Sequence, residues 1–443
     1  MLRKLILRYK ESIWFIPSLC ILGSIVLAFI TTVVDNTFQP QLRQFLPAFA
    51  FTSVNLGRDI LTVIATSLLT MTTITFSTIM VVLSIYSSQF SPRTLQNFIS
   101  DRLTQIVLGV FIAGFTYAVV SLLFMHEREP ETLVFSAFFA IILALISIGY
   151  FIRFIQYITS SIQVNNLMEK LSQEVLQILK RKKRTIQDMK KNGKVLSNVK
   201  PGIINLHKRN HIEIKARLYG HIQYIDIEGL MRFAREHNVL VETTVKIGDY
   251  VGKSTIVLLI WNHDMEKELK CNVSKYFSLG NYKSTSQDLD FGIQKIEEIA
   301  LRAISPGIND PNTAMLGVRN MAVVMSEINH YCAGKKYFYD QKQNLRLILD
   351  ERNYEEILYA SFYKILNFSR NQISLFSTIL EAISIIAENR DRRSRDTLYE
   401  FCKYTINGFN HQILQKKDRY FLNIKLEKIA KHLKVEPKKL LLS

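Results

Sequence analysis

The chain has 443 residues, 48% of them hydrophobic and 21% charged, with a formal net charge of +18 at pH 7. The apolar residues are concentrated before residue 158 and Lys and Arg after it, which predicts a membrane unit followed by one or two soluble domains. Cys20, Cys271, Cys332 and Cys402 are scattered, arguing against a disulfide framework and a zinc site and for a reducing compartment around the soluble part.

Residues 13–34 form an apolar run of the length that a hydrocarbon core of roughly 30 Å requires. Arg3, Lys4, Arg8 and Lys10 precede it, but the run is long and no small-residue cleavage site follows, so a span is preferred to a signal peptide. Residues 60–86, 103–125 and 132–152 are three further spans without a charged side chain. The basic N-terminus, the loop with Arg93 and Arg102, and the basic stretch 153–184 all flank what should be the inner side. Both termini are therefore expected in the cytoplasm.

Small residues recur four apart in these spans: Ser24 and Ala28, Gly109 and Ala113, Gly114 and Ala118, then Ala140 and Ala144, with Ser147 beyond. They predict close helix packing. The second span differs, because Thr62, Thr66, Thr70, Thr73, Ser77, Ser84 and Ser88 share one helical face, interrupted near Met80 and Val81. Hydroxyls of this kind either bond back to their own helix or line a hydrated path. The lack of Asp, Glu, Lys, Arg or His inside any span argues against a proton relay and leaves uncoupled conduction open.

Phe151, Ile155, Ile158, Ile162, Leu167, Leu171, Val175 and Leu179 continue an apolar helical stripe out of the fourth span, with no breaker before Gly193. An unbroken stalk over 158–195 is predicted, its basic end at 180–184 a solvated face or linker. Over 196–270 the pattern becomes that of a small β-rich α+β unit: Ile212, Ile214, Ile222 and Tyr224 alternate, 227–236 reads as a helix, and 239–247 and 255–261 are β-branched. Gly248 and Asp249 are expected to turn between the last two strands.

Gly248, Gly252, Lys253 and Ser254 imitate a phosphate-binding loop, but only three residues separate the glycines and a strand follows, so a turn is preferred. His207 and His211 lack the Glu and the helix of a metalloprotease pair and read as surface residues. No nucleophile, base and orienter assemble at a recognisable spacing, so neither an enzyme nor a cofactor is expected. Residues 271–443 read as an α-helical domain with helices at 289–304, 312–331, 354–369, 372–388, 395–409 and 422–433. Between the first two, Pro306 and Gly307 stop one helix and Asp310 with Pro311 starts the next. Arg302, Asn309 and Asp310 there form a polar corner open to a ligand or a partner subunit.

Three stretches together resemble a known family. They are Gln89, Phe90, Ser91, Pro92 and Arg93 with Asp101 and Arg102; residues 220–226 with Gly248, Asp249 and Val251; and residues 288–314, in which Ser305, Pro306, Gly307, Ile308, Asn309, Asp310 and Pro311 are the most specific. Over most of its length the chain resembles the bacterial membrane-protein family called domain of unknown function 2254. The resemblance implies a bacterial plasma-membrane protein and implies no activity.

The fold expected is a membrane bundle of four transmembrane helices over residues 1–157, both ends inside, joined by the stalk to a cytoplasmic α+β domain. The leading functional expectation is a homo-oligomeric ion channel whose pore is lined by Thr62, Thr66, Thr70, Thr73, Phe76, Ser77, Met80 and Ser84. The alternative is a non-conducting sensor or scaffold, with Arg93, Arg302, Asn309 and Asp310 as ligand or interface candidates. Expected partners are the lipid bilayer, further copies of the chain, and a small ion or anionic ligand; no nucleic acid and no metal are expected.

Overall fold

The structure is a computed structural model that describes residues 15–37, 47, 50–90, 101–125, 133–191, 196–197, 211–261, 273–283, 288–328, 334–388 and 390–442. It comprises two compact units, residues 1–166 and 167–443.

Among the described residues, the first unit holds four helices long and apolar enough to cross a membrane. They are α1 (Phe15–Thr37), α2 (Val54–Ile85), α3 (Arg102–Phe124) and α4 (Ser136–Ser161). At about 1.5 Å per residue even the shortest exceeds a hydrocarbon core of roughly 30 Å. A single π-type turn, Tyr86–Phe90, extends α2. The most buried span is α3, which packs against α1, α2 and α4. Its glycines make that possible: a Cβ on Gly109 would lie 3.0 Å from Cys20 Sγ of α1, and one on Gly114 only 2.7 Å from Leu68 Cδ1 of α2. The four-residue spacing of small side chains is thus used inside the bundle.

One end of the bundle is latched by polar groups that a low-dielectric medium would leave expensive if unpaired. The Asp35 carboxylate accepts from the Phe135 N–H at 2.7 Å, and the Arg58 guanidinium donates to the Met125 carbonyl. The Tyr117 hydroxyl donates to the Ser136 carbonyl at 2.9 Å beside Thr31 Oγ1. Two short strands, β1 (Thr52–Ser53) and β2 (Leu133–Val134), pair antiparallel just before α2 and α4.

The predicted unbroken stalk is corrected. Helix α4 stops at Ser161 and α5 (Val164–Lys191) starts afresh. Asn166 Nδ2 donates to the Ser160 carbonyl at 2.9 Å and meets Ser160 Oγ and Gln163 Oε1, so a side chain competes with the helix backbone at the junction. Beyond the junction α5 is no free stalk: Leu167, Met168, Leu171, Val175, Ile178 and Leu179 are buried.

In the second unit, strands β3 (Leu196–Ser197), β4 (His211–Lys215), β6 (Leu240–Thr243), β8 (Ile256–Trp261), β10 (Lys336–Tyr339) and β11 (Leu345–Leu349) form one sheet in the order β3-β10-β11-β6-β8-β4. Among the described strands only the β11–β6 pair is parallel, with Leu347 opposite Val241. Strands β5 (Gly220–Ile225), β7 (Tyr250–Val251) and β9 (Phe277–Gly280) form a smaller antiparallel sheet in the order β7-β5-β9. Helix α6 (Ile227–Glu236) buries Leu230, Met231, Phe233 and Ala234 in a core shared with both sheets.

Two expectations change here. Residues 271–443 are not purely helical, since β10 and β11 pair across a turn and complete a sheet whose other strands precede residue 270. Gly248 and Asp249 do not simply turn between two strands of one sheet, because β7 follows them and pairs with β5 in the other.

The remaining helices are α7 (Leu289–Ala303), α8 (Pro311–Ile328), α9 (Tyr354–Ser369), α10 (Ile373–Ala387), α11 (Arg392–Asn407) and α12 (Lys416–Leu433). They pack α7 on α8, α8 on α10 and α10 on α12. Helix α5 joins them through Val175 against Gly292 of α7, Met168 against Gly317 of α8, and a 2.9 Å hydrogen bond from Ser172 to Asn320.

Candidate functional site

In open α/β sheets ligands bind in a crevice beyond the carboxyl ends of parallel strands, and β6 and β11 form such a pair within this mixed sheet. In the second unit the chain leaves β11 through Asp350, Glu351 and Arg352, and the Asp350 N–H donates to Thr243 Oγ1 at the end of β6 at 2.8 Å. A cavity of about 50 Å³ opens there, lined by these residues together with Lys182, Lys246, Asp288, Asp290 and Lys336, over an apolar floor that includes Ile225, Ile227 and Leu349. That is room for a few waters or one small polar group.

Helix α7 begins at the cavity. Asp288 caps it, Oδ1 accepting from the Phe291 N–H at 3.0 Å. Asp288 is 4% exposed, and its Oδ2 has no hydrogen-bond partner among the described residues. The β6–β7 turn presses on this carboxyl: a Cβ on Gly248, whose φ is +89°, would lie 2.4 Å from Asp288 Oδ2. Only glycine meets both the backbone and the approach.

The charges are unevenly paired. Glu351 is shared by Lys336, in direct contact, and Lys182 at 3.7 Å. Arg352 bridges Asp290 at 3.0 Å and Asp249 at 3.7 Å, and Lys246 reaches Glu356 at 3.0 Å. Every cation lining the cavity thus has a carboxylate, whereas Asp288 and Asp350 have no ion-pair partner among the described residues.

The protonation energetics follow. Burial, with Asp290 nearby, pushes the Asp288 carboxyl up to about 6. Burial also raises Asp290 against the pull of Arg352, and raises Asp350 against Lys246 and Lys335. Glu351 is half-buried and also desolvated, but Lys182 and Lys336 outweigh that and hold it below the usual carboxylate range.

The residues singled out in the sequence lie elsewhere. Thr62, Thr66, Thr70, Thr73, Phe76, Ser77, Met80 and Ser84 are all exposed on the first unit. Their shared face is not covered by α1, α3 or α4. The hydroxyls of Thr62, Thr66 and Thr70 donate to the carbonyls of Arg58, Thr62 and Thr66 at 2.8–2.9 Å, and Thr73 donates to Leu69 at 3.0 Å.

At the polar corner, Asp310 caps α8 by accepting from the Thr313 N–H at 3.1 Å and its hydroxyl at 2.6 Å, which lowers its pKa. Asn309 takes a left-handed φ of 49°, which asparagine tolerates, and Arg302 lies in the last turn of α7. Arg93 lies outside the described residues. His211, read as a surface residue, is exposed, with its ring tilted at 48° against Trp261. Among the described residues no group of three His, Cys, Asp or Glu is placed to hold a metal ion.

The motif reading missed Lys182, Lys336, Asp350, Glu351 and Arg352, which come from α5, β10 and the chain after β11 and meet only in the folded unit. A sequence signal was present in the short apolar run 347–349 ending in Asp350, Glu351 and Arg352. Two family-like stretches do converge here, at Gly248 and Asp288.

A family model described as "Predicted membrane protein (DUF2254)" matches residues 10–384. The chain is 24% identical over 403 residues to the uncharacterized proteins Rv1290c and MT1328 of two Mycobacterium tuberculosis strains and Mb1321c of Mycobacterium bovis. Each alignment covers 87% of this chain and 74% of the relative. No solved structure matches it. With four apolar helices of spanning length and a family match over most of its sequence, the chain belongs to the DUF2254 family of predicted membrane proteins.

Proposed function

We propose that the protein is a multi-pass sensor of the bacterial plasma membrane, both termini cytoplasmic, in which a ligand held in the charged cavity acts on the spans. The observation that carries this reading is that the buried Asp288 and the half-buried Asp350 have no ion-pair partner among the described residues, beside four cations that each have one. Helix α5 supplies the connection. Lys182 in its second half lines the cavity, Val175 packs on Gly292 in the first turn of α7, and two residues separate its start from the end of α4.

Hydrogen exchange on the full chain in nanodiscs tests the coupling. Asp288→Asn and Asp350→Asn should each alter the exchange of the backbone amides around residues 158–168. Exchange there identical to the unsubstituted protein would remove the reading.

A second reading, a homo-oligomeric channel-like assembly, is favoured by the α2 hydroxyl face, which its own bundle leaves uncovered. Further copies of the chain would meet around Thr66, Thr70 and Thr73, with Phe76 or Met80 as an apolar constriction and the basic second unit concentrating anions. Reconstituted protein should then pass ions above the rate of empty liposomes, and Thr66→Val with Thr70→Val should change that flux. Flux no greater than in empty liposomes sinks the channel and leaves the sensor standing.

A further inference from the structure

We infer that the cavity between β11 and α7 binds a small cationic hydrogen-bond donor, an ammonium or amidinium group, seated on the Asp288 and Asp350 carboxylates. The inference deepens the sensor reading and rests on it for the premise that the cavity is a ligand site.

The sign of the ligand comes from the pairing already in place. Lys336 and Lys182 share Glu351, Arg352 holds Asp290 and Asp249, and Lys246 holds Glu356. An anion would have to displace one of these carboxylates. A cation displaces nothing, since Asp288 and Asp350 have no ion-pair partner among the described residues.

The need for N–H donors comes from the geometry at Asp288. Its Oδ1 is committed to the Phe291 N–H, while Oδ2 is buried and accepts nothing from the described residues. Leaving such an oxygen unpaired is costly, and an N–H donor satisfies oxygen and charge together. A divalent metal ion fits less well, because it takes several oxygen ligands and no three such side chains converge among the described residues. The cavity, about 50 Å³, admits one such head group and not a large molecule.

The purified full-length protein in detergent micelles can be melted by intrinsic fluorescence with matched salts. Methylammonium chloride should raise the unfolding midpoint, whereas tetramethylammonium chloride, of equal charge but without donors, should not. The rise should be lost in Asp288→Asn and in Asp350→Asn and kept in Asp310→Ala. Cooperative melting of each variant without additive shows that it folds, and the two Asn variants check one another.

Equal rises from the two ammonium salts, or a rise that survives both Asn substitutions, would overturn the inference. Sodium phosphate provides a contrasting arm. A rise with phosphate alone, abolished by Lys336→Met, would refute a cationic ligand yet keep the cavity as a ligand site, and no rise with any of the three would refute both.

Discussion

Asp288 uses its two carboxylate oxygens for opposed purposes. One caps α7, where the unpaired N–H groups of a first turn favour a negative charge. The other lies against Gly248 with no donor among the described residues, in surroundings that disfavour charge strongly enough to bring the pKa to about 6 from 3.8. A raised carboxyl pKa means that the folded unit holds its proton more tightly than the unfolded chain. Its stabilising contribution is complete below about pH 4 and is lost as pH rises through about 6, by a few kcal/mol at most at roughly 1.4 kcal/mol per unit. Asp288→Asn keeps a capping oxygen and removes the titration. It should flatten the stability of the second unit over that window and raise its melting temperature at pH 7. Thermal melts at pH 4, 5, 6 and 7 check this, and an unchanged slope would show that Asp288 does not carry it. The sequence displays Asp288 readily, as a cap three residues before Phe291 at the head of an apolar helix. It does not display the orphaned oxygen, which depends on a glycine 40 positions earlier.

At the scale of elements, legibility follows from how local the deciding interaction is. Helices α6 and α9 occupy the residues that their apolar period predicts, and each starts at a side-chain cap, Asp226 or Asn353. The β10–β11 hairpin escaped because its strands are short and do not alternate. Its strands of four and five residues are stabilised by distant partners, β3 on one side and β6 on the other. The break between α4 and α5 escaped for a different reason. The apolar stripe does run through Ile158, Ile162 and Leu167, but a stripe reports which face is buried and not whether the backbone is continuous. Asn166, with its amide on Ser160 and Gln163, is the residue that interrupts it. The α2 hydroxyls show the limit of periodicity as a functional signal. Their common face was predictable, and so was their bonding to carbonyls one turn back. That bonding satisfies the donors in lipid and beside water alike, so the spacing does not choose between the two.

For the whole molecule, the boundary between units can be placed by asking which core each helix completes. The sequence places the start of the soluble part at 158, where apolar density falls, and separates a stalk, a β-rich unit and a helical domain. The structure instead divides into two units at residues 166 and 167. Helix α5 buries six large apolar side chains, and two glycines, Gly292 and Gly317, are shaped to its Val175 and Met168. Fully burying such a side chain is worth about 1.5–3 kcal/mol before the entropy of ordering the helix is counted, so the gross burial of α5 is of the same order as the net stability of a typical domain. The sheet joins the expected β-rich and helical parts in the same way, with β6 and β11 side by side. A fragment of residues 164–443 should therefore be soluble and monodisperse and melt cooperatively, with α5 protected from proteolysis. A fragment of residues 196–443 should expose the faces of α7 and α8 that α5 covers and should aggregate or fail to melt cooperatively. Equal behaviour of the two in size-exclusion chromatography and thermal melts would return α5 to the role of a detached stalk. It would also remove the mechanical link from cavity to span on which the sensor reading depends.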